Sequence, residues 1–265
     1  MSQPLRILIT NDDGIDAPGI KLLQTIASQI SDDVFVVAPS GNQSGAGHRF
    51  TLGQELSIKE HEKNVFSLDS GTPADCIAIA YTHIMKDKMP DLVLSGINHG
   101  QNLGDIIHCS GTMAGAREGA LRGALAIGLS QALDYEKGHD INWDCVEQYG
   151  LEIIRSIIEQ SDINSSQNTS YYNVNFPIAI KGQTPDVRIV PHQRFSNSPF
   201  TYYPSRNQGK FFVAILETPK PLDSDHDFKS LHEDYSITLT PLLLQQTDYE
   251  TTERLQGKIS LSKKD

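Results

Sequence analysis

Continuous apolar runs alternate with helix-like segments along the first 160 residues, and this pattern restricts the fold more than any other feature. The runs are as short as strands, and they lack the polar alternate positions of a strand that has one face in water. Apolar strands separated by helices are typical of a parallel sheet covered on both faces. The pattern therefore predicts a doubly wound α/β core over residues 1 to about 160.

The expected elements follow one another closely along this core. Strands are predicted at 6–10, 34–38, 65–68, 91–95 and 126–130, and helices at 18–30, 75–85, 112–125 and in a segment that ends near 160. A polar loop at 161–170 separates this part from a further strand at 172–176.

The character of the chain then changes. The stretch 195–210 is rich in Ser, Asn, Pro and Tyr, and the apolar run at 211–215 is predicted to form an isolated strand. Residues 235–242 alternate as a half-buried strand does. We therefore predict a core at 1–190 and a β-rich C-terminal arm, made of a hairpin and a tail, at 191–265.

Charge and cysteine content exclude some classes of protein. The 265 residues include 22 basic and 33 acidic side chains, a net charge of −11, which argues against a protein that mainly binds nucleic acid. Three cysteines without a C-x-x-C pair do not form a disulfide framework. We find neither a signal peptide nor an apolar stretch of about 20 residues that could span a membrane. A cytoplasmic protein is expected.

Two carboxylates, Asp12 and Asp13, follow the first predicted strand. Ligands of an open parallel sheet bind at the carboxyl ends of its strands, so this loop is a candidate site. Adjacent carboxylates repel each other unless a cation lies beside them, and Mg²⁺, Mn²⁺ and Ca²⁺ prefer such oxygen ligands. The alternative is an ordinary turn or helix start, where Asp is common.

The loop after the second strand, 38–48, contains three glycines, which let backbone N–H groups approach an anion closely. It lacks the lysine of a P-loop, and no G-x-G-x-x-G follows the first strand. A standard nucleotide triphosphatase or dinucleotide dehydrogenase is therefore disfavoured.

Two further segments carry polar groups toward the same edge. Asn98 and Asn102 follow the strand at 91–95, and Ser110-Gly111-Thr112 precedes an alanine-rich helix whose N-terminus would attract an anion. For any one of these residues, the alternative is an ordinary N-cap followed by close helix packing. Carboxylates for a metal beside donors for an anion indicate metal-assisted phosphoryl chemistry.

Other nucleophiles fit the spacing poorly. A cysteine phosphatase built on Cys109 needs an arginine six positions later, but residue 115 is Gly. An aspartyl-phosphate enzyme needs Asp two positions after Asp12, but residue 14 is Gly. The histidines of the candidate loops, His48, His99 and His108, could assist proton transfer or serve only in packing.

A receiver-like signalling module is the alternative from another class. It would use the acidic pair with Asp69 as phospho-acceptor. No Lys-Pro follows a late strand, the chain is about twice a receiver's length, and the Ser-Gly-Thr segment would have no role.

Five motifs in order are similar to those of the SurE family, the stationary-phase survival protein and 5′-nucleotidase. They are ITNDDGIDAPGI at 9–20, VAPSGNQSGA at 37–46, GTPADC at 71–76, SGINHGQNLGD at 95–105 and SGT at 110–112. The resemblance implies a cytoplasmic, metal-dependent nucleoside monophosphate phosphohydrolase with a Rossmann-like three-layer core. It also implies a C-terminal arm exchanged between the subunits of a homodimer or homotetramer.

The resemblance implies the roles of individual residues as well. One divalent cation per subunit, Mg²⁺ or Mn²⁺, would be held by Asp12, Asp13, Ser44 and Asn98, with Asp12 and Asp13 catalytic. The phosphate or substrate would be bound by Asn42, Gly45, Asn102, Ser110, Gly111 and Thr112.

The sequence also departs from the family pattern. Cys109 stands where many members have Tyr, His108 replaces an apolar residue, His48 replaces a small polar one, and Asp234 replaces a glycine. The first three flank the expected pocket, so substrate preference could differ. A phosphatase for short polyphosphate or another phosphomonoester is therefore kept as an alternative. Tyr202 and Tyr203 could stack on a base or serve only in subunit packing.

Overall fold

The computed structural model describes residues 4–134, 140–161, 169–195, 198, 200–215, 222–223, 225–256 and 258. The strands are β1 (Arg6–Thr10), β2 (Asp33–Pro39), β3 (Ser57–Glu62), β4 (Val65–Asp69), β5 (Leu92–His99), β6 (Leu125–Gln131), β7 (Leu133–Asp134), β8 (Asp140–Ile141), β9 (Ser170–Phe176), β10 (Val187–Ile189), β11 (Phe200–Pro204), β12 (Phe211–Ile215) and β13 (Ile237–Leu243). The helices are α1 (Pro18–Ala27), α2 (Pro73–Ile79), α3 (Gly111–Leu121), α4 (Asp144–Gln160), α5 (Asp227–His232) and α6 (Tyr249–Leu255), with a π-helical turn at Ala80–Ile84 and a 3-10 helix at Gly104–His108.

Within these described residues, nine strands form one sheet in the order β10-β13-β9-β6-β5-β1-β2-β4-β3. The six central strands from β9 to β4 run parallel, which confirms the predicted α/β class. The chain passes from β1 to β2 on one side and later resumes at β5 on the other. The switch point, where open α/β sheets bind ligands, therefore lies between β1 and β5.

Helices cover both faces of the sheet, so the core has three layers. Ile7 and Ile9 of β1 pack with α1 and α4 on one face, whereas Leu8 packs with α2 and α3 on the other. Side chains alternate between the faces of a strand, so β1 needs apolar residues at every position. This is the pattern from which the parallel sheet was predicted.

Helix α3 packs unusually close to the sheet because glycine recurs every fourth residue. A Cβ on Gly115 would lie 2.6 Å from Ser95 Oγ, and one on Gly119 would lie 2.7 Å from Val93 Cβ. Residues four apart share a helix face, so this glycine face rests directly on the strands. The N-terminus of α3 is thereby brought to the carboxyl ends of β1 and β5.

Several predicted boundaries differ from the structure. The predicted helix at 75–85 begins at Pro73 and changes to π geometry after Ile79. Strand β3 was not predicted, because all six of its side chains are exposed at the sheet edge and the segment has no apolar face. The run at 211–215, expected to stand alone, pairs antiparallel with β11.

The C-terminal part is divided between the sheet and a separate hairpin. Strand β13 pairs antiparallel with β9 inside the main sheet, whereas β11 and β12 form a two-stranded sheet of their own. The domain boundary at 190 stays a prediction. In the described part of the chain, no helix is long and apolar enough to cross a membrane.

Candidate active site

Asp12, directly after β1, lies against the start of α3. Its side chain is only 4% exposed, and its Oδ1 accepts a 2.6 Å hydrogen bond from Thr112 Oγ1. A Cβ on Gly111 would lie 2.6 Å from the Asp12 Cβ, so only glycine lets the helix come this close. The Asp12 carboxylate thus lies at the N-terminus of α3, which is the positive end of the helix dipole.

Burial raises the pKa of Asp12 to about 6. The hydrogen bond from Thr112 lowers this pKa, and the neighbouring charge of Asp13 raises it. The ionised form of Asp12 is therefore costly without a compensating positive charge. A bound cation would supply that charge.

Asp13 connects the first loop to the end of β5. It is half-buried, and its Oδ2 accepts a 3.1 Å hydrogen bond from the backbone N–H of His99. Next to His99, the Asn98 amide Nδ2 donates to the Gly100 carbonyl at 2.7 Å. This orientation leaves Asn98 Oδ1 to serve as a neutral oxygen ligand.

The loop after β2 approaches the carboxylates from the other side. The Gln43 N–H donates to the Asp12 carbonyl at 2.7 Å, and the Gly47 N–H donates to the Cys109 carbonyl at 3.0 Å. Ser44 and Gly45 lie exposed between these two attachments.

The structure gives Asn42 a role inside this loop. Its Oδ1 accepts from the Ser44 N–H at 2.8 Å, which shapes the turn that presents Ser44. Its predicted contact with substrate stays a prediction.

Gly14 allows the first two loops to pack together. It has a φ of +103°, and a Cβ there would lie 3.1 Å from the backbone of Gly41. Asn11 closes the turn in both directions, since Nδ2 donates to the Gly14 carbonyl and Oδ1 accepts from the Gly14 N–H. The sequence Asn-Asp-Asp-Gly therefore forms a turn that holds the two carboxylates at the sheet edge.

The segments that carry the four predicted ligands, Asp12, Asp13, Ser44 and Asn98, are thus attached directly to one another. Two carboxylates, a hydroxyl and an amide oxygen make a hard, all-oxygen donor set that suits Mg²⁺ or Mn²⁺. Across the described ranges, no group of three or more His, Cys, Asp or Glu could hold a metal ion. A zinc-type centre therefore has no candidate there, whereas a site of two carboxylates and neutral oxygens does.

Two predicted phosphate ligands have other partners in the structure. The hydroxyl of Thr112 is engaged with Asp12, so its role here is to hold the carboxylate. Ser110 is the N-cap of α3, and its Oγ accepts from the Met113 N–H at 3.1 Å. The hydroxyl hydrogen of Ser110 remains available to a ligand.

Asn102 lies beneath the site in a buried amide cluster. Its Nδ2 donates to Ser130 Oγ at 2.9 Å, its N–H donates to Asn175 Oδ1, and its carbonyl accepts from Asn173 and Asn175. These bonds fasten the glycine-rich loop after β5 to β6 and β9. Its assignment to the phosphate pocket stays a prediction.

The remaining sequence candidates are His99, His108, Asp69 and Cys109. His99 and His108 are exposed, and Asp69 is an exposed residue that accepts from Ser40 Oγ. Burial raises the pKa of the Cys109 thiol, and its Sγ donates to the Ile106 carbonyl. A raised pKa opposes thiolate formation, which agrees with the rejection of a cysteine phosphatase.

Sequence reasoning missed Asp75, which supports the loop after β2. Asp75 and Thr72 form a capping box at the start of α2, and Asp75 also accepts from the N–H and the hydroxyl of Thr51. The signal was present, since Thr-x-x-Asp before an apolar run is typical of this cap.

A groove of about 550 Å³ lies elsewhere on the molecule. Its walls are the start of α4, the loop 177–185 and Tyr235. None of the four predicted metal ligands lines it, so the chemistry is assigned to the site at the switch point.

A sequence model described as "Survival protein SurE" matches residues 7–198 of the chain. The chain belongs to the SurE family. The resemblance drawn from the five motifs is therefore confirmed.

Relatives of similar length exist among curated SurE proteins. The "5'-nucleotidase SurE" of Methylorubrum populi is 39% identical over 248 residues, which cover 92% of this chain and 95% of the relative. That of Methylobacterium radiotolerans is 37% identical over 254 residues, covering 94% and 97%.

A solved SurE structure shares the fold. The crystal structure of the SurE protein from Aquifex aeolicus matches with a TM-score of 0.81 at 28% identity, over 95% of this chain and 98% of that one.

Proposed function

We propose that this SurE protein is a 5′-nucleotidase that hydrolyses nucleoside monophosphates with the help of one divalent cation. The observation that carries the proposal is the buried Asp12 carboxylate, which lies beside Asp13 at the switch point and against the N-terminus of α3. The names of the curated relatives support the same activity.

The cation would be held by the carboxylates of Asp12 and Asp13, the Ser44 hydroxyl and the Asn98 amide oxygen. When bound, it would offset the negative charge of the phosphoryl group and lower the pKa of a water molecule. Mg²⁺ and Mn²⁺ are the expected ions, because the donor set consists of oxygen atoms only.

The chain's own groups would then divide the remaining work. The Asp12–Asp13 pair accepts the proton of the attacking water, while the phosphorus–oxygen bond to the nucleoside breaks. The leaving oxygen takes up that proton from the carboxylate pair, so that nucleoside and inorganic phosphate result. The Ser110 hydroxyl and the helix start at Gly111 and Thr112 stabilise the phosphoryl oxygens through donors and the helix dipole.

We also propose that the protein is a homodimer or homotetramer. The side chains of Phe211 and Phe212 on β12 are 63% and 67% exposed. Neighbouring residues of a strand point to opposite faces, so both faces of the hairpin present aromatic surface. A two-stranded hairpin is only marginally stable alone, and exposed apolar patches mark interaction sites.

Phosphate release from a substrate panel tests the proposed activity. The panel contains 5′- and 3′-nucleoside monophosphates and short polyphosphate, measured in EDTA and after addition of Mg²⁺ or Mn²⁺. We expect release from 5′-nucleotides only with metal, and its loss in a folded D12N variant. Full activity in EDTA, or wild-type activity in D12N, would contradict the metal assignment.

A further inference from the structure

The loop that carries Ser44 is attached to the core by backbone hydrogen bonds on either side of it. The Gln43 N–H reaches the Asp12 carbonyl at 2.7 Å, and the Gly47 N–H reaches the Cys109 carbonyl at 3.0 Å. The three residues between these attachments form a short turn, closed by a 3.0 Å bond from the Ala46 N–H to the Gln43 carbonyl. The position of Ser44 is therefore set by what holds the two ends of the turn.

At the second end, a side-chain contact to α3 adds to the backbone bond of Gly47. His48 Nε2 lies 3.0 Å from Glu118 Oε2, and the His48 and Glu118 side chains are 20% and 8% exposed. Because a carboxylate only accepts hydrogen bonds, Nε2 carries the proton in this contact. His48 follows Gly47 directly, so the contact fixes the turn at its C-terminal end.

Glu118 is itself held in place by Arg122. Arg122 Nε donates to Glu118 Oε1 at 2.7 Å, and its guanidinium lies 5.4 Å from the centre of the Tyr81 ring. Each carboxylate oxygen thus has its own basic partner. Arg122 therefore orients Glu118, the nearly buried acceptor, toward His48.

Helix α3 serves two parts of the site. Its first turn places Gly111 and Thr112 on Asp12, and Glu118, two turns later, binds His48. The glycine face of the helix rests on β1 and β5 with no room for a Cβ. A contact from the loop to Glu118 is therefore a contact to a helix that is closely packed on the sheet.

We propose that His48 is a positioning residue. Through Glu118 it holds the turn that carries Ser44 at the distance from Asp12 that cation binding requires. The role assigned to Ser44 rests on the proposed function, whereas the ordering of the turn by His48 does not.

The variant H48A tests this inference without exposing a bare charge. Glu118 keeps Arg122 as a partner, so we expect the melting temperature to change by no more than a few degrees. Loss of a group that orients a metal ligand typically weakens metal binding 10- to 100-fold. We therefore expect the Mn²⁺ dissociation constant of H48A, measured by calorimetry, to be about 10 to 100 times that of the wild type. In the metal-free protein, amide hydrogen exchange in the segment 43–47 should become faster.

Two further variants separate positioning from packing. H48Q keeps an N–H donor for Glu118, so it should restore most of the Mn²⁺ affinity and the slow exchange. H61A is the matched control, because the His61 ring also makes one side-chain hydrogen bond, to Ser67 Oγ at 2.7 Å, but lies on the edge strand β3. It should leave Mn²⁺ affinity and exchange at 43–47 unchanged.

The outcomes are distinct. Wild-type exchange at 43–47 in H48A, an Mn²⁺ dissociation constant within twofold of wild type, or an H48Q variant as defective as H48A would each overturn the inference. Absence of Mn²⁺ binding by the wild type would refute the proposed cation site alone. In that case the exchange in metal-free H48A still decides whether His48 orders the turn.

Discussion

Thr112 and Asp12 are 100 positions apart in the chain, yet the hydroxyl of the first donates a 2.6 Å hydrogen bond to the carboxylate of the second. The bond joins the end of β1 to the first turn of α3. It orients the carboxylate at the positive end of the helix.

The variant T112V should therefore affect the site more than the fold. Valine has the shape of threonine but cannot donate, so Asp12 loses its orienting bond. We expect metal-dependent phosphate release to fall about 10- to 100-fold, as for other groups that orient a metal ligand. The matched control is T25V, which removes an exposed hydroxyl that bonds to the Lys21 carbonyl on α1. Equal activity of both variants would show that the Thr112 bond has no functional role.

Mn²⁺ should stabilise the wild-type protein against heat. A ligand that binds only the folded state adds about 2.7 kcal/mol at 100 times its dissociation constant. The D12N variant should lose this gain. In EDTA it should be at least as stable as wild type, because it no longer buries a charge beside Asp13. Differential scanning calorimetry in EDTA and in Mn²⁺ measures both effects, and an equal metal shift in both proteins would speak against the assignment.

The close packing of α3 predicts a large cost for one added methyl group. G119A would place a Cβ 2.7 Å from Val93 Cβ, an atom that cannot rotate away. We expect a loss of about 1–3 kcal/mol in the free energy of unfolding in urea. G150A on α4 is the control, since its nearest contacts are terminal methyl groups at 3.1 Å and alanine improves helix propensity. If both variants are equally stable, the sheet can shift to make room for the added methyl group, and close packing of α3 does not limit stability.

Asp227 predicts a specific pH dependence of stability. This fully buried carboxylate accepts bonds from the N–H groups of Gly104, Gln193 and Phe228, yet burial raises its pKa. The folded state then retains a proton that the unfolded chain releases, so this group's contribution to stability falls as pH rises from about 4 through the folded-state pKa.

The D227N variant cannot ionise and lacks this pH dependence. It also turns one accepting oxygen into a donor, so we expect it to be less stable than wild type by about 1–3 kcal/mol at pH 4. That difference should shrink as the pH is raised to 7. Urea unfolding at several pH values measures it, and a difference that grows with pH would contradict the assignment.

The exposed hairpin of β11 and β12 is expected to hold the proposed oligomer together, so changes to its surface should alter the oligomeric state. Replacing Phe211 and Phe212 together with serine removes aromatic surface from both faces of β12. We expect the mass measured by light scattering to fall toward that of a single chain. L52S, which replaces an exposed leucine in the loop after β2, is the control and should leave the mass unchanged. If the wild type is already a single chain, the proposed oligomer is wrong.

Much of the fold could be predicted because its causes are local. Strands such as β1 need apolar residues on both faces, and helix α1 shows its buried stripe at helical spacing. Strand β3 could not be found in this way, since an edge strand with only exposed side chains has no apolar pattern to detect.

The candidate site also has features that the sequence predicted and features that it could not predict. The parallel order of the strands brings Asp12, Asp13 and Asn98 to one edge, as the loop positions predicted. The hydrogen-bond partners of Thr112 and Asn102 could not be predicted. Each partner, Asp12 or Ser130, lies far away in the sequence and is brought within 3 Å only by the packing of the fold.

The amino-acid sequence alone thus determined the α/β class, the family and the set of polar residues at the carboxyl ends of the strands. Only the tertiary structure decided that Thr112 holds Asp12, that Asn102 fastens the loop to β6 and β9, and that β13 lies inside the main sheet. The physical reason is one of range. Periodicity, turns and caps depend on neighbours along the chain, whereas these hydrogen bonds and strand pairings join residues that packing brings together from far apart.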